Sequence, residues 1–196
     1  MNYIKTRAIV LSTIKYGDNS VIVKMFLEKA GVQSFIVKGI NKSKSKIAYF
    51  QPLSLLEIDY CDSKANLKYI KEQRFLYFYE NIQNNFNKNC IFIFLAEVLR
   101  KSLLTAESEP DFFCFIYESL IDFDKKPNNF NDFHLHFLIK MMDFLGFLPT
   151  NENDFIPSSD KLSRHDLLEN ILGYYNYHIL DFSPIKSHLI LKDLLR

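Results

Sequence analysis

Glycine and proline are scarce in this chain, five and six among 196 residues, while 48% of the residues are hydrophobic and 15% aromatic. That balance excludes a disordered or collagen-like polymer and supplies enough apolar side chain for a packed core. Long apolar runs are missing too. No stretch approaches the roughly 18 residues that a membrane helix requires, and the richest, Ile91 to Ala96, is soon followed by Glu97, Arg100 and Lys101. Met1 to Val10 lacks the apolar segment and small-residue cleavage site of a secretory signal, so a cytoplasmic location is expected. Cysteine is limited to Cys61, Cys90 and Cys114, an odd number at wide spacings that form neither a disulfide framework nor a CxxC zinc pair. Buried free thiols are the expectation.

Catalytic signatures are absent as well. The chain has no GxGxxG, GxxxxGK[ST], GxSxG or HExxH, and no carboxylate pairing that nominates an acid and a base. His134 and His136 are two apart, so on a helix they point to different sides and do not share a metal. His165, His178 and His188 have no ligand partners at metal spacing. No catalytic residue, metal or cofactor is therefore expected, and the protein reads as something other than an enzyme.

Net charge is nearly absent, +1 from 24 basic and 23 acidic residues. The average conceals a split. Up to Glu80 there are 13 basic and 7 acidic side chains, whereas Asn81 to Arg196 holds 11 and 16. A basic first segment on an acidic remainder points to a polyanion-binding module joined to something else.

The first 75 residues read as strands. Arg7–Tyr16 is rich in Ile, Val and Thr and stops at Tyr16-Gly17-Asp18-Asn19, a turn signal; Ser20–Glu28 and Val32–Lys38 follow across Ala30-Gly31. After a lysine-rich loop, Leu53–Tyr60 and Leu67–Gln73 add two more. Five strands with a longer connection between the third and fourth match the OB-fold barrel, with an SH3-like barrel as the alternative. From Phe75 the apolar period lengthens to about 3.6, as in Ile91, Phe94, Leu95, Val98 and Leu99. Helices are expected near 76–87, 90–105, 109–123, 131–146, 164–179 and 184–195. Ser108 with Asp111 and Ser163 with Asp166 have capping-box spacing, Ser183-Pro184 suits a first helical turn, and Pro149–Lys161 reads as a loop. The expected architecture is α+β in two domains: an OB-fold over 1–75 and an all-α domain over 76–196.

The segment Val37–Lys46 carries Lys38, Lys42, Lys44 and Lys46 between small and polar residues. A loop of this kind can follow a phosphate backbone, because each ammonium is a point charge that needs no fixed fork and each neutralised phosphate releases counterions. Lys5, Arg7 and Lys24 add charge on neighbouring strands. Tyr16, Phe35 and Tyr49 are candidate faces for stacking unpaired bases, although each alone also fits a core. On the expected 131–146 helix, His136 and Lys140 lie four apart beside Phe133, Phe137 and Phe144, a candidate groove for an acidic, Phe-tipped peptide.

Taken in order, Thr6-Arg7-Ala8-Ile9-Val10-Leu11, Tyr16-Gly17-Asp18-Asn19-Ser20, Val37-Lys38-Gly39, Ser43-Lys44-Ser45-Lys46-Ile47 and Gln51-Pro52-Leu53 resemble the N-terminal domain of the bacterial RecO family. Phe94-Leu95-Ala96-Glu97-Val98-Leu99 and Phe144-Leu145-Gly146-Phe147-Leu148-Pro149 are similar to its helical domain. The resemblance implies a DNA repair and recombination mediator. Such a protein binds single- and double-stranded DNA, anneals complementary strands, and with RecR helps RecA load onto strands coated by single-stranded-DNA-binding protein. It also implies nucleoid association during repair, and a helical domain that engages the acidic tail of the single-strand binder; His136 falls where some members carry Arg in that tail site. Two departures stand out. Many members have a four-cysteine zinc site after the Leu145-Gly146-Phe147 helix end, whereas Pro149–Lys161 has no cysteine and is short, so the zinc is not carried over. The residue after Tyr16-Gly17 is Asp18 where Glu is usual. A protein-interaction adapter and an RNA-binding OB-fold protein remain the alternatives from the residues themselves.

Overall fold

The computed structural model describes residues 3–40, 44–63, 65–104, 107–149, 163–182 and 184–194. The chain divides into two units, one comprising residues 1–79 and 103–121, the other 80–102 and 122–196.

The first unit is built on strands β1 (Tyr3–Lys15), β2 (Ser20–Leu27), β3 (Gly31–Lys38), β4 (Leu55–Cys61) and β5 (Lys68–Phe75). They close into a barrel in the order β1-β2-β3-β5-β4. All neighbouring pairs are antiparallel except β3 with β5, which pair in parallel at Phe35/Lys68 and Ile36/Tyr69. This is the expected Greek-key OB-fold barrel, and each strand appears within a few residues of its expected bounds. Alternation selects the interior. Val21, Val23, Met25 and Leu27 of β2 point inward to meet Phe35 and Val37 of β3 and Leu56, Ile58 and Tyr60 of β4. β1 serves two neighbours, β2 and β4, and a bulge between Val10 and Ser12 turns it between them.

The turn from β1 to β2 is closed by Tyr16 N–H donating to the Ser20 carbonyl at 2.9 Å, and Gly17 within it has φ of +64°. A Cβ at Gly17 would meet nothing within 4 Å, so the cost of Gly17→Ala is backbone strain alone. Chemical denaturation should show a loss of about 1 kcal/mol; no loss would mean that the turn relaxes to negative φ.

The stretch expected to be a lysine loop contains a short helix, α1 (Lys44–Ala48). Its flanks are anchored, because Ile40 and Phe50 both insert into the barrel core. Lys42 lies outside the described residues, as does the side chain of Lys44.

The first unit also takes in residues from the helical part of the sequence, up to Ile121 of α4 (Pro110–Lys125). Outward-facing Phe26 of β2 is fully buried there, with the Phe112 and Phe113 rings 5.8 and 5.6 Å away. Ser108 does not cap this helix as its spacing suggested; its hydroxyl donates to the Glu28 carbonyl at 2.9 Å. The helix opens on Pro110, whose missing N–H costs nothing in the first turn.

The second unit holds α2 (Asn81–Asn84), α3 (Phe86–Ser102), the end of α4, α5 (Phe133–Phe144), α6 (Arg164–His178) and α7 (His188–Leu194). Its core includes Ile91, Phe94, Leu95, Val98, Phe123, Leu138, Met141, Ile171 and Tyr175. Ser163 caps α6 as expected, its Oγ accepting from Asp166 N–H. Two expected helices are shorter. Residues 76–80 do not join α2, since Leu76 N–H continues the barrel pairing to the Leu55 carbonyl. α7 starts at His188 because the half-buried Glu97 carboxylate accepts from the N–H groups of Lys186 and Ser187 and from the Ser187 hydroxyl. The expected 149–161 loop falls almost wholly outside the described residues.

Cys61 and Cys114 are half-buried and Cys90 buried, all as free thiols. Among the described residues, no group of three or more His, Cys, Asp or Glu side chains is placed to hold a metal ion. No described helix is long and apolar enough to cross a membrane.

Candidate nucleic-acid interface

The outer surface of the barrel has two chemically distinct sides. Around β1, β4 and β5, charges pair with one another. Glu57 accepts from Arg74 Nε at 2.7 Å and from Lys5 Nζ at 3.0 Å, with Asp59 and Glu72 close by around the same shallow depression. The Arg74 hydrogen bond, and then that of Lys5, pull the Glu57 carboxyl down to about 2. This side is self-neutralised, and Lys5 belongs to it.

Arg7 is committed inward. Its guanidinium makes a bidentate pair with Glu28 at 3.0 and 2.8 Å, donates to Cys114 Sγ at 3.3 Å, and lies over the Phe113 and Tyr117 rings at 5.4 and 5.0 Å. The hydrogen bond from Arg7 lowers the Glu28 carboxyl and, reciprocally, raises Arg7 further above its ordinary range. These contacts fasten β1 to α4, and most of the fork's donors are already used.

The side formed by β1, β2, β3 and β5 differs. Register places Ile14 opposite Ile22, Ile22 opposite Ile36, and Ile36 opposite Tyr69. Because Val21, Val23, Phe35 and Val37 point into the core, these alternating neighbours point out. The result is an apolar row across four strands, with Ile14 at 63% and Tyr69 at 54% exposure. Lys38 is exposed, its ammonium 5.5 Å from the centre of the Tyr69 ring. Lys46 reaches the same end of β3, donating to the Lys38 carbonyl at 2.8 Å. Gly39 N–H donates to the Asn19 carbonyl at 2.8 Å, which draws the Tyr16 turn to that end as well, and Tyr16 is 52% exposed. Lys24, next along β2 from the row, donates only to a backbone carbonyl, that of Leu104. Neither Lys38, Lys46 nor Lys24 has a carboxylate partner among the described residues.

The three aromatic candidates separate. Tyr16 offers an open face. Phe35 is fully buried and packs edge-on against Tyr60 at 5.5 Å, so the stacking role foreseen for it is corrected: its inward register puts it in the core. Tyr49 is half-buried and stacked on Phe75 at 4.4 Å. Tyr69, not singled out from the sequence, is the better-placed platform. Its signal was weak, because only the register shows that the apolar residues at Ile22, Ile36 and Tyr69 lie side by side on an outer surface.

On α5, His136 and Lys140 are both exposed and share a face. The His136 ring contacts the Asp132 carbonyl at 2.9 Å; Lys140 pairs with Asp143 and lies over Phe144 at 5.4 Å. Phe137 is buried and Phe133 stacks on Phe123 at 4.5 Å, so of the three expected apolar walls Phe144 stands nearest the cation.

Comparison with known proteins agrees with this architecture. Residues 1–79 match the family model described as Recombination protein O N terminal, and residues 83–164 match Recombination protein O C terminal. The DNA repair protein RecO of Flavobacterium psychrophilum is 31% identical over 235 positions, covering 97% of this chain and 98% of the relative. That of Azobacteroides pseudotrichonymphae is 30% identical over 236, with the same coverage. That of Bacteroides fragilis is 35% identical over 155, covering 77% of this chain and 63% of the relative. The two longer alignments exceed the 196 residues present here, so those relatives carry stretches without a counterpart. With an OB-fold barrel under the first family model, helices under the second, and identity across nearly the whole length, the chain belongs to the RecO family of DNA repair proteins.

Proposed function

We propose that the protein acts in DNA repair as a non-enzymatic mediator whose barrel binds single-stranded DNA over the outer side of β2, β3 and β5. The observation that carries this is the Ile14–Ile22–Ile36–Tyr69 row with Lys38 and Lys46 beside it. Unpaired bases have apolar faces to lay on such a row, whereas a duplex keeps those faces stacked inside; the lysines meet the backbone without reading sequence. Lys42 and Lys44 precede Lys46 in the chain and extend the same basic segment. Arg7 and Lys5 support the barrel and contribute less to the strand.

In this reading the barrel holds a strand for annealing and for duplex contact, and the helical unit docks partners: RecR, and the acidic tail of single-stranded-DNA-binding protein at His136 and Lys140. Together they would assist RecA loading. The test is fluorescence anisotropy with labelled oligo-dT across a salt series. Lys38→Ala with Lys46→Ala should make the log–log salt slope shallower by about 1.4, from two phosphate contacts at about 0.7 each. Tyr69→Ala should cost about 1–3 kcal/mol of binding. Unchanged slope and affinity in both variants would refute the assignment. An adapter without DNA function would also fail to accelerate pairing of complementary oligonucleotides.

A further inference from the structure

We infer that this face has a second, polar seat for one nucleotide of the bound strand, in the groove between the Lys24 side of β2 and β3 and the loop joining β4 to β5. The inference rests on the reading of the barrel as a single-strand binder. The groove has a volume of about 640 Å³, within the range of small-ligand sites, and Lys24, Gln33, Ser34, Asn66, Lys68 and Glu107 contribute to its lining. Two ammonium groups and two side-chain amides around one groove suit a ligand with an anion and a hydrogen-bonding edge. A nucleotide has both.

Position links this groove to the apolar row. Lys24 lies opposite Ser34, and Ser34 precedes Ile36 by two residues on the same side of β3, while Lys38 follows Ile36 by two. At about 3.3 Å per residue, Ser34 and Lys38 are roughly 13 Å apart. Cations therefore stand at both ends of a short path with Ile36, Ile22 and Tyr69 between them. A strand of about four nucleotides, the lower end of an OB-fold footprint, spans it.

The groove is already arranged for exchange of partners. Lys24 donates to the Leu104 carbonyl at 3.2 Å in an exposed bond that a phosphate oxygen can replace. Gln33 spends its Nε2 on the Ala30 carbonyl at 2.9 Å, which orients its amide oxygen as an acceptor for an exocyclic amine. Lys68 is held over the Tyr60 ring at 5.4 Å and 3.5 Å from Asp62 Oδ1. With Asp62 paired to Lys68 and Glu107 also in the lining, two carboxylates offset the two lysines. A lining without net positive charge accommodates a phosphodiester, with one charge, better than a terminal phosphate with two.

The experiment compares the wild type with Lys24→Met, Lys68→Met, Glu107→Gln and Tyr69→Ala in anisotropy titrations with labelled oligo-dT of graded length, with and without a 5′-phosphate. Expected results are about tenfold weaker binding for Lys24→Met and Lys68→Met on eight-nucleotide strands, about threefold tighter binding for Glu107→Gln, and no gain from the 5′-phosphate. Glu107 is exposed, so its substitution leaves the fold intact even if that of Lys68 does not. If Lys24→Met and Glu107→Gln both bind as wild type while Tyr69→Ala binds weakly, the second seat is overturned and the single-strand reading stands. If Tyr69→Ala also binds as wild type, that reading fails and the seat with it.

Discussion

Replacing Asp124 by Ala should destabilise the helical unit by about 3–5 kcal/mol, seen as an earlier urea transition of the helical circular dichroism signal. Asp124 is fully buried at the end of α4, and its carboxylate accepts from three backbone N–H groups, those of Glu80, Asn81 and Ile82 at 3.2, 3.0 and 2.8 Å. α2 has no side-chain cap of its own, so this distant carboxylate satisfies its first donors. Lys88, only 2% exposed, donates to the carbonyls of Phe123 and Asp124 at 3.0 and 2.8 Å and lies over the Phe123 and Phe130 rings. Burial lowers the Lys88 pKa, and the Asp124 charge works against that lowering. Removing the carboxylate leaves three backbone donors without their acceptor and takes away the charge that favours the ammonium form of Lys88. Asp124→Asn, which keeps one acceptor oxygen, should recover part of the loss. A shift below about 1 kcal/mol for the Ala variant would show that water replaces the carboxylate at little cost.

The second large effect is acid sensitivity from His134. This ring is 2% exposed, packs edge-on against Phe94 at 5.9 Å, and has no hydrogen-bond partner at Nδ1. Burial is the main cause of its depressed pKa, about 4 against an ordinary 6.5; Asp132 and the Asn131 backbone push upward, Arg164 and His136 downward. Between those values the unfolded chain holds a proton that the folded chain does not. Stability therefore falls as pH drops from about 6.5 to about 4, by at most about 3 kcal/mol from this one group. Urea titrations of the wild type and His134→Leu at pH 7 and pH 4 isolate the contribution, since the other histidines are common to both. The wild type should lose more stability by up to that amount. Equal losses would mean that the ring gains a proton without unfolding the unit.

The sequence was most legible where one rule governs many residues. Apolar and β-branched runs bounded by turn signals located all five strands, because a closed barrel has one interior and every strand must face it. A 3.6 period and the Ser163–Asp166 capping pair located the longer helices for the same reason. Legibility failed where a distant partner decides. Glu97 delays the start of α7, the Glu28 carbonyl takes the Ser108 hydroxyl, and the barrel core holds Ile40 and Phe50, which bound the segment in which α1 forms. None of these partners is near in sequence, so no local pattern reveals them.

The candidate site divides in the same way. The sequence alone determined that the basic charge concentrates before Glu80, that the common catalytic motifs are absent, and that the first module is a small barrel. Charge counting could not tell Lys5 and Arg7, which are spent on Glu57 and Glu28, from Lys38 and Lys46, which have no carboxylate partner among the described residues. Nor could it raise Tyr69 above Phe35, since both are aromatic residues in strands. Only strand register turns one ring into the core and the other outward, because a single residue's shift along a strand exchanges the two faces. The sequence determined that a basic barrel would form; tertiary pairing decided which of its cations and rings are spent inside the fold and which face outward.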